Sequence, residues 1–150
     1  MARYVPLLLF IALTVGGGAL IGAGNAPGPW YEALEKPFFN PPNWVFGPVW
    51  TLLYVLVAIA GWRIWRKRRT GGAMTAWWLQ LGLNFLWSPM FFTLQNIGGA
   101  FAVIVALFGS AAAFVVLAWN NDRPAALLFL PYLGWLAFAA LLNGAILMLN

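Results

Sequence analysis

The sequence predicts an all-α membrane protein: a five-helix transmembrane bundle, one domain over residues 1–150, with a long proline-rich loop between helices one and two. Three observations predict it. Of 150 residues 63% are hydrophobic and only 7% charged, too little polar surface to cover a soluble globule of this size. Five apolar runs, about 4–23, 44–65, 74–96, 98–119 and 124–149, are long enough for a helix to cross a bilayer. One long stretch, residues 24–43, interrupts them. Transmembrane β-strands would alternate apolar and polar residues, whereas these runs are apolar on all sides, so helices are the consistent solution.

The first run has a competing reading. Arg3, an apolar stretch and the small residues Gly22-Ala23-Gly24-Asn25-Ala26 also outline a cleavable signal peptide. The uncharged run from Tyr4 to Ala23 is closer to a full span than to a signal-peptide core of about 7–15 residues. Thr14, Gly18 and Gly22 share one helical face, and the Gly18-xxx-Gly22 spacing predicts close approach of a neighbouring helix.

In residues 24–43, Pro37, Pro41 and Pro42 each fix their own φ and push the preceding residue away from helix. The expectation is a stiff, folded-back loop with no helix of its own. Loops of about 20 residues in compact proteins usually carry function. We read this one as a lid over a pocket lined by Trp50 and Tyr54.

Helix two begins near Asn43 with Pro48 in its first turns, and Trp50, Tyr54, Val57 and Gly61 fall on one stripe. On helix three the stripe is Gln80, Asn84, Trp87 and Phe91, with Pro89 predicting a kink near Asn84. Gln80 and Asn84 should face the bundle interior, either as polar glue between helices or as part of a pocket. Ala102, Ala106, Gly109 and Ala113 on helix four predict close packing against another helix or another subunit. Helix five starts with Pro124 in its first turn and aligns Tyr132, Trp135, Ala139 and Asn143. If the five helices alternate in direction, Trp50, Trp87, Phe91, Ala139 and Asn143 converge in the half of the bundle under the lid. Trp62, Trp65, Trp77, Trp78 and Trp119 are assigned to interfacial belts.

The net charge of +5 is better read as topology than as nucleic-acid binding, and no nucleic-acid partner is expected. Arg3, Arg63, Arg66, Lys67, Arg68, Arg69 and Arg123 fall on one side and Lys36 alone on the other. The N-terminus and the Arg66–Arg69 turn are therefore expected in the cytoplasm, with the lid loop and C-terminus outside. The short loops and the lack of a targeting extension point to a bacterial cell membrane.

Absent chemistry narrows the function. There is no His and no Cys, which removes the usual haem, zinc and copper ligands, so no metal and no cofactor is expected. Glu32, Glu35 and Asp122 lie in loops on opposite sides and cannot form an interior carboxylate pair, which argues against hydrolysis and against a proton-coupled exporter. What remains is binding by stacking, apolar contact and a few hydrogen bonds, suited to a flat hydrophobic ligand.

Three blocks of residues resemble the translocator protein / tryptophan-rich sensory protein family, formerly called peripheral-type benzodiazepine receptors. They are Trp30-Tyr31, Leu34, Lys36-Pro37, Pro41-Pro42, Phe46, Trp50 and Leu53-Tyr54; then Gln80, Asn84, Trp87 and Phe91-Phe92; then Pro131-Tyr132, Trp135, Ala139 and Leu142-Asn143. The resemblance implies a five-helix bundle, often a homodimer, that binds porphyrins such as protoporphyrin IX, and in animals cholesterol and benzodiazepine-site ligands. Carried over by position, it makes Trp50 and Trp135 the tryptophans flanking the ligand. Tyr54, Asn84, Trp87, Phe91 and Ala139 would line the cavity, with Tyr31 reaching from the lid. Phe46, Tyr132 and Asn143 complete the candidate ligand-binding set. The resemblance also implies an alternative, light-dependent porphyrin breakdown using Trp50 and Trp135. Cholesterol is doubtful, because the animal sterol segment follows its Leu-Asn pair with Tyr and Arg, whereas Leu142-Asn143 is followed here by Gly144-Ala145-Ile146-Leu147-Met148-Leu149-Asn150.

Overall fold

A computed structural model describes residues 2–150, and the described residues contain helices and no strands. Helix α1 (Ala2–Gly24) includes a π-helical turn at Ala12–Gly16. One turn of helix, α2 (Pro29–Glu32), follows within the loop, then α3 (Asn43–Lys67) and α4 (Gly72–Ser88). The latter continues into a π turn at Pro89–Thr93, and α5 (Ile97–Trp119) and α6 (Arg123–Leu149) complete the chain. Four of these, α1, α3, α5 and α6, are long and apolar enough to cross a membrane. The chain is thus an integral membrane protein.

Neighbours in the bundle are α1 with α3, α3 with α6, α6 with α5, α5 with α4, and α4 with the end of α1. One end carries residues 63–72 and 119–123 and is strongly basic; the other carries residues 25–42, 94–96 and the C-terminal residues. We call these the basic end and the lid end. Across the basic end Arg63 Nε and Nη2 donate to both carboxylate oxygens of Asp122, at 2.7 and 3.0 Å, and Lys67 Nζ donates to the same group at 3.1 Å. Asp122 is buried. Burial alone would raise its pKa and is the largest single influence, yet the hydrogen bonds and charges of Arg63 and Lys67 together hold it below its ordinary value.

Several expectations are corrected. The loop does have a helix, because Pro29 at its first position supplies a helical φ without sacrificing a needed donor. Pro89 produces no kink near Asn84; the backbone absorbs the missing donor in the π turn, with the Leu94 amide donating to the Pro89 carbonyl at 2.9 Å. Trp77 and Trp62 are not belt residues. Trp77 is fully buried, donates Nε1 to the Val57 carbonyl at 2.9 Å and lies over Gly61, where an added Cβ would sit 2.4 Å from the indole. Trp62 is buried beneath Tyr4 and Arg66. Trp78 and Trp119 are exposed, as a belt requires.

The small stripe of α5 is corrected too. Ala102, Ala106, Gly109 and Ala113 all face outward, while Val103, Leu107, Ala111, Phe114 and Ala118 form the face buried within this chain. Gly18 packs as expected, against the Tyr54 ring, but Gly22 has no atom within 4 Å of where a Cβ would stand. The first helix is integral to the bundle: Thr14 is fully buried and donates to the Tyr54 carbonyl at 2.9 Å.

Candidate functional site

Under the lid the helices enclose a cavity of about 490 Å³, within the range of small-molecule sites. Every described element contributes. Helix α1 supplies Gly18, Ala19 and Gly22; the lid supplies Tyr31 and Asn40; α3 supplies Phe46, Trp50 and Tyr54. Asn84, Trp87 and Phe91 come from α4, Ile104 and Leu107 from α5, and Trp135, Ala139 and Asn143 from α6. No Lys, Arg, Asp or Glu borders it.

The aromatic wall follows from helix periodicity. Trp50 and Tyr54 are one turn apart on α3, and their rings stack with centroids 5.6 Å apart. Across the helix boundary, Trp135 meets Trp50 edge to face at 6.2 Å and 89°, the arrangement favoured by the ring quadrupoles. Phe46 approaches Trp135 at 6.0 Å.

Beneath these rings runs a chain of hydrogen bonds joining α3, α4 and α6. The Tyr54 hydroxyl donates to Asn84 Oδ1 at 2.6 Å, Asn84 Nδ2 donates to the Tyr132 hydroxyl at 2.8 Å, and that hydroxyl donates to Gln80 Oε1 at 2.7 Å. Asn84 therefore serves both readings the sequence left open, since it borders the cavity and bonds across helices. Trp87 Nε1 donates to Asn143 Oδ1 at 2.9 Å, and Asn143 Nδ2 donates to the Ile97 carbonyl at 3.1 Å. The side-chain amide of Asn143 is thus largely consumed by structure. Trp135 Nε1 and Asn40 Oδ1, both on residues of the wall, are buried without a protein partner.

The lid is fastened at several points. Tyr31 packs against Phe91 and Phe92, and burial pushes its phenol above the ordinary value of 10.0. Lys36 Nζ stands 4.6 Å from the centre of the Tyr31 ring. Asn43 Nδ2 donates to Glu32 Oε1 at 3.0 Å. Asn150 bonds both ways with the backbone of Glu35: the Glu35 amide donates to Oδ1 at 3.1 Å, and Nδ2 donates to the Glu35 carbonyl at 2.9 Å.

Of the candidate residues, Tyr31, Phe46, Trp50, Tyr54, Asn84, Trp87, Phe91, Trp135, Ala139 and Asn143 all border this one cavity. Tyr132 does not. It is fully buried one layer below, tied to Asn84 and Gln80, because its position on the stripe is nearer the centre of the bundle. Sequence reasoning missed Ile104 and Leu107 on α5, whose residue types match any core position. It also missed the polar rim formed by Asn25, Asn40, Asn43, Thr51 and Ser88. Among the described residues no group of His, Cys, Asp or Glu is arranged to hold a metal.

A model of the TspO/MBR family matches residues 9–149. The tryptophan-rich protein TspO of Archaeoglobus fulgidus is 41% identical over 144 residues, covering 95% of this chain and 94% of that protein. The protein CrtK of Rhodobacter capsulatus is 36% identical over 145 residues, with 94% and 89% covered. The translocator protein of Homo sapiens is 38% identical over 149 residues, with 93% and 87% covered.

Proposed function

The chain belongs to the TspO/MBR family, and from that premise we propose that it binds porphyrins such as protoporphyrin IX, and related flat hydrophobic molecules, in the cavity under the lid. The observation that carries this reading is the perpendicular pair Trp50 and Trp135 on the wall of a 490 Å³ space without a charged group. Such a wall offers ring faces and edges and excludes ion pairing as the main source of affinity. The activity is that of a receptor or transport-type protein. Cholesterol is left out, for want of the Tyr and basic residue after Leu142-Asn143.

The same reading includes a fifth crossing, residues 72–93, whose 22 positions at about 1.5 Å each span roughly 33 Å. It places the basic end in the cytoplasm and the lid outside, by the excess of Arg and Lys at one end. It also includes a homodimer, for which the outward small residues Ala102, Ala106, Gly109 and Ala113 are suited.

Quenching of tryptophan emission by protoporphyrin IX tests the reading. The parent protein should be quenched, and the doubly substituted Trp50→Ala, Trp135→Ala protein should not; equal quenching of both removes this pocket. The closeness of the two indoles also favours a second reading, in which a photo-excited bound porphyrin oxidises an indole and is itself broken down by oxygen. Porphyrin absorbance that decays under light no faster than in detergent alone rules that out.

A further inference from the structure

The cavity is closed unevenly around its circumference. Toward the lid end, residues Gly17–Gly24 of α1 lean on α4, with Gly17 against the Phe85 ring, while α3 packs mainly on the earlier part of α1. The contact of Gly18 with the Tyr54 ring marks where α1 and α3 part. Beyond it, Gly22 on α1 and Gly47 on α3 each have open space where a Cβ would stand.

Accessibility around the wall shows the same asymmetry. Phe91, Leu107 and Asn143 border the cavity yet are 2%, 0% and 1% exposed. Ala19, Gly22, Ala23, Gly47 and Thr51 border the same cavity and are exposed. The unclosed side therefore lies between α1 and α3.

Depth decides what the opening meets. Gly47 and Thr51 stand four and eight residues into α3, about 6 and 12 Å below the lid end of that helix, within one half of a hydrocarbon core about 30 Å thick. Its edges are Gly and Ala, with the Thr51 hydroxyl turned back to the Gly47 carbonyl at 2.8 Å. Nothing there repels acyl chains. The lid, in contrast, is held by Tyr31, by Glu32 with Asn43 and by Asn150 with Glu35.

We infer that ligands reach the cavity sideways from the bilayer, through the gap between the lid-end halves of α1 and α3, while the lid stays shut. This rests on the porphyrin-binding reading above and specifies its substrate class as membrane-dissolved molecules that are flat and apolar at their leading edge.

The chain has no cysteine, so one can be introduced cleanly. Gly47→Cys protein in vesicles is labelled with methanethiosulfonates of increasing size, methyl to benzyl, and mixed with vesicles preloaded with protoporphyrin IX. Quenching is followed in time and at equilibrium, with Gly82→Cys, at an outward glycine with open space around it, as the labelled control. The expected result is that association and dissociation slow together as the adduct grows, by about tenfold or more for benzyl, with Kd held within about threefold. Reduction with dithiothreitol restores both rates, and the association rate follows the porphyrin fraction in the bilayer. Unchanged rates, or a weaker Kd with faster dissociation, overturn the lateral route while porphyrin binding stands. Absence of quenching in unlabelled parent protein removes the binding reading and the route with it.

Discussion

The half of the bundle toward the basic end and the half under the lid are built from the same residue types and finish differently. Toward the basic end Trp77 is driven flat onto Gly61, Phe10 meets it at 5.1 Å, and Phe114 stacks on Phe129 at 4.1 Å, leaving no comparable space. Under the lid Trp50 and Trp135 meet edge to face, and what lies between the helices is a hollow. The difference teaches that an indole fills or frames according to what faces it. A glycine opposite lets it collapse into the gap; another large ring holds it upright and keeps the gap open.

The sharpest way to break this contrast is to truncate one tryptophan from each half. Trp77→Ala removes a fully buried side chain and its hydrogen bond to Val57, and should cost about 3–5 kcal/mol in reversible unfolding in detergent. Trp50→Ala adjoins existing empty space and should cost clearly less; equal losses would mean that the upper half is as tightly packed as the lower. Next in size is Asp122→Asn, which leaves Arg63 and Lys67 facing each other. We expect about 2 kcal/mol, toward the low end for a broken ion pair because the Lys67 side chain is 50% exposed.

That carboxylate also predicts a pH response. Its folded pKa lies below the ordinary 3.8, so its stabilisation is complete above that value and is lost as pH falls through the folded one. Melting temperature should therefore drop below about pH 4 in the parent, with a shallower drop in Asp122→Asn. Tyr54→Phe comes next. It deprives Asn84 Oδ1 of its donor at the cavity floor and should cost about 1–2 kcal/mol. The smallest effect belongs to Asn150→Ala, which unties the C-terminal residue from Glu35; because these bonds are exposed, a loss under about 1 kcal/mol is expected, read as faster proteolysis within residues 33–42.

Most of the architecture was legible, because helices that cross a bilayer must satisfy their own backbone and so announce themselves as long apolar runs. The stripes were legible for the same reason: Trp50 with Tyr54, Asn84 with Trp87, and Trp135 with Ala139 are helical neighbours whatever surrounds them. What could not be read was which face of an all-apolar helix turns to protein and which to lipid. Trp77 and Trp78 are adjacent and chemically identical, yet one is buried and the other exposed, and only Gly61 on another helix separates their fates. On α5 the small residues point outward, since in hydrocarbon no hydrophobic force distinguishes a packed face from a free one. The step between Tyr132 and Asn84, floor and wall, is likewise set by how far α4 and α6 stand apart.

The π turn at Pro89–Thr93 gives the third helix one residue more than an α-helix would hold in that length. Deleting a single residue there would restore the ordinary repeat and turn everything beyond it by about 100°. Phe91 and Phe92 would exchange orientations, and Asn96, whose side chain caps α5 through the Gly99 amide, would swing off its helix. A one-residue length change at this place is a rotation rather than a trim, so the spacing from Asn84 to Asn96 is as binding on the chain as the identity of any residue within it.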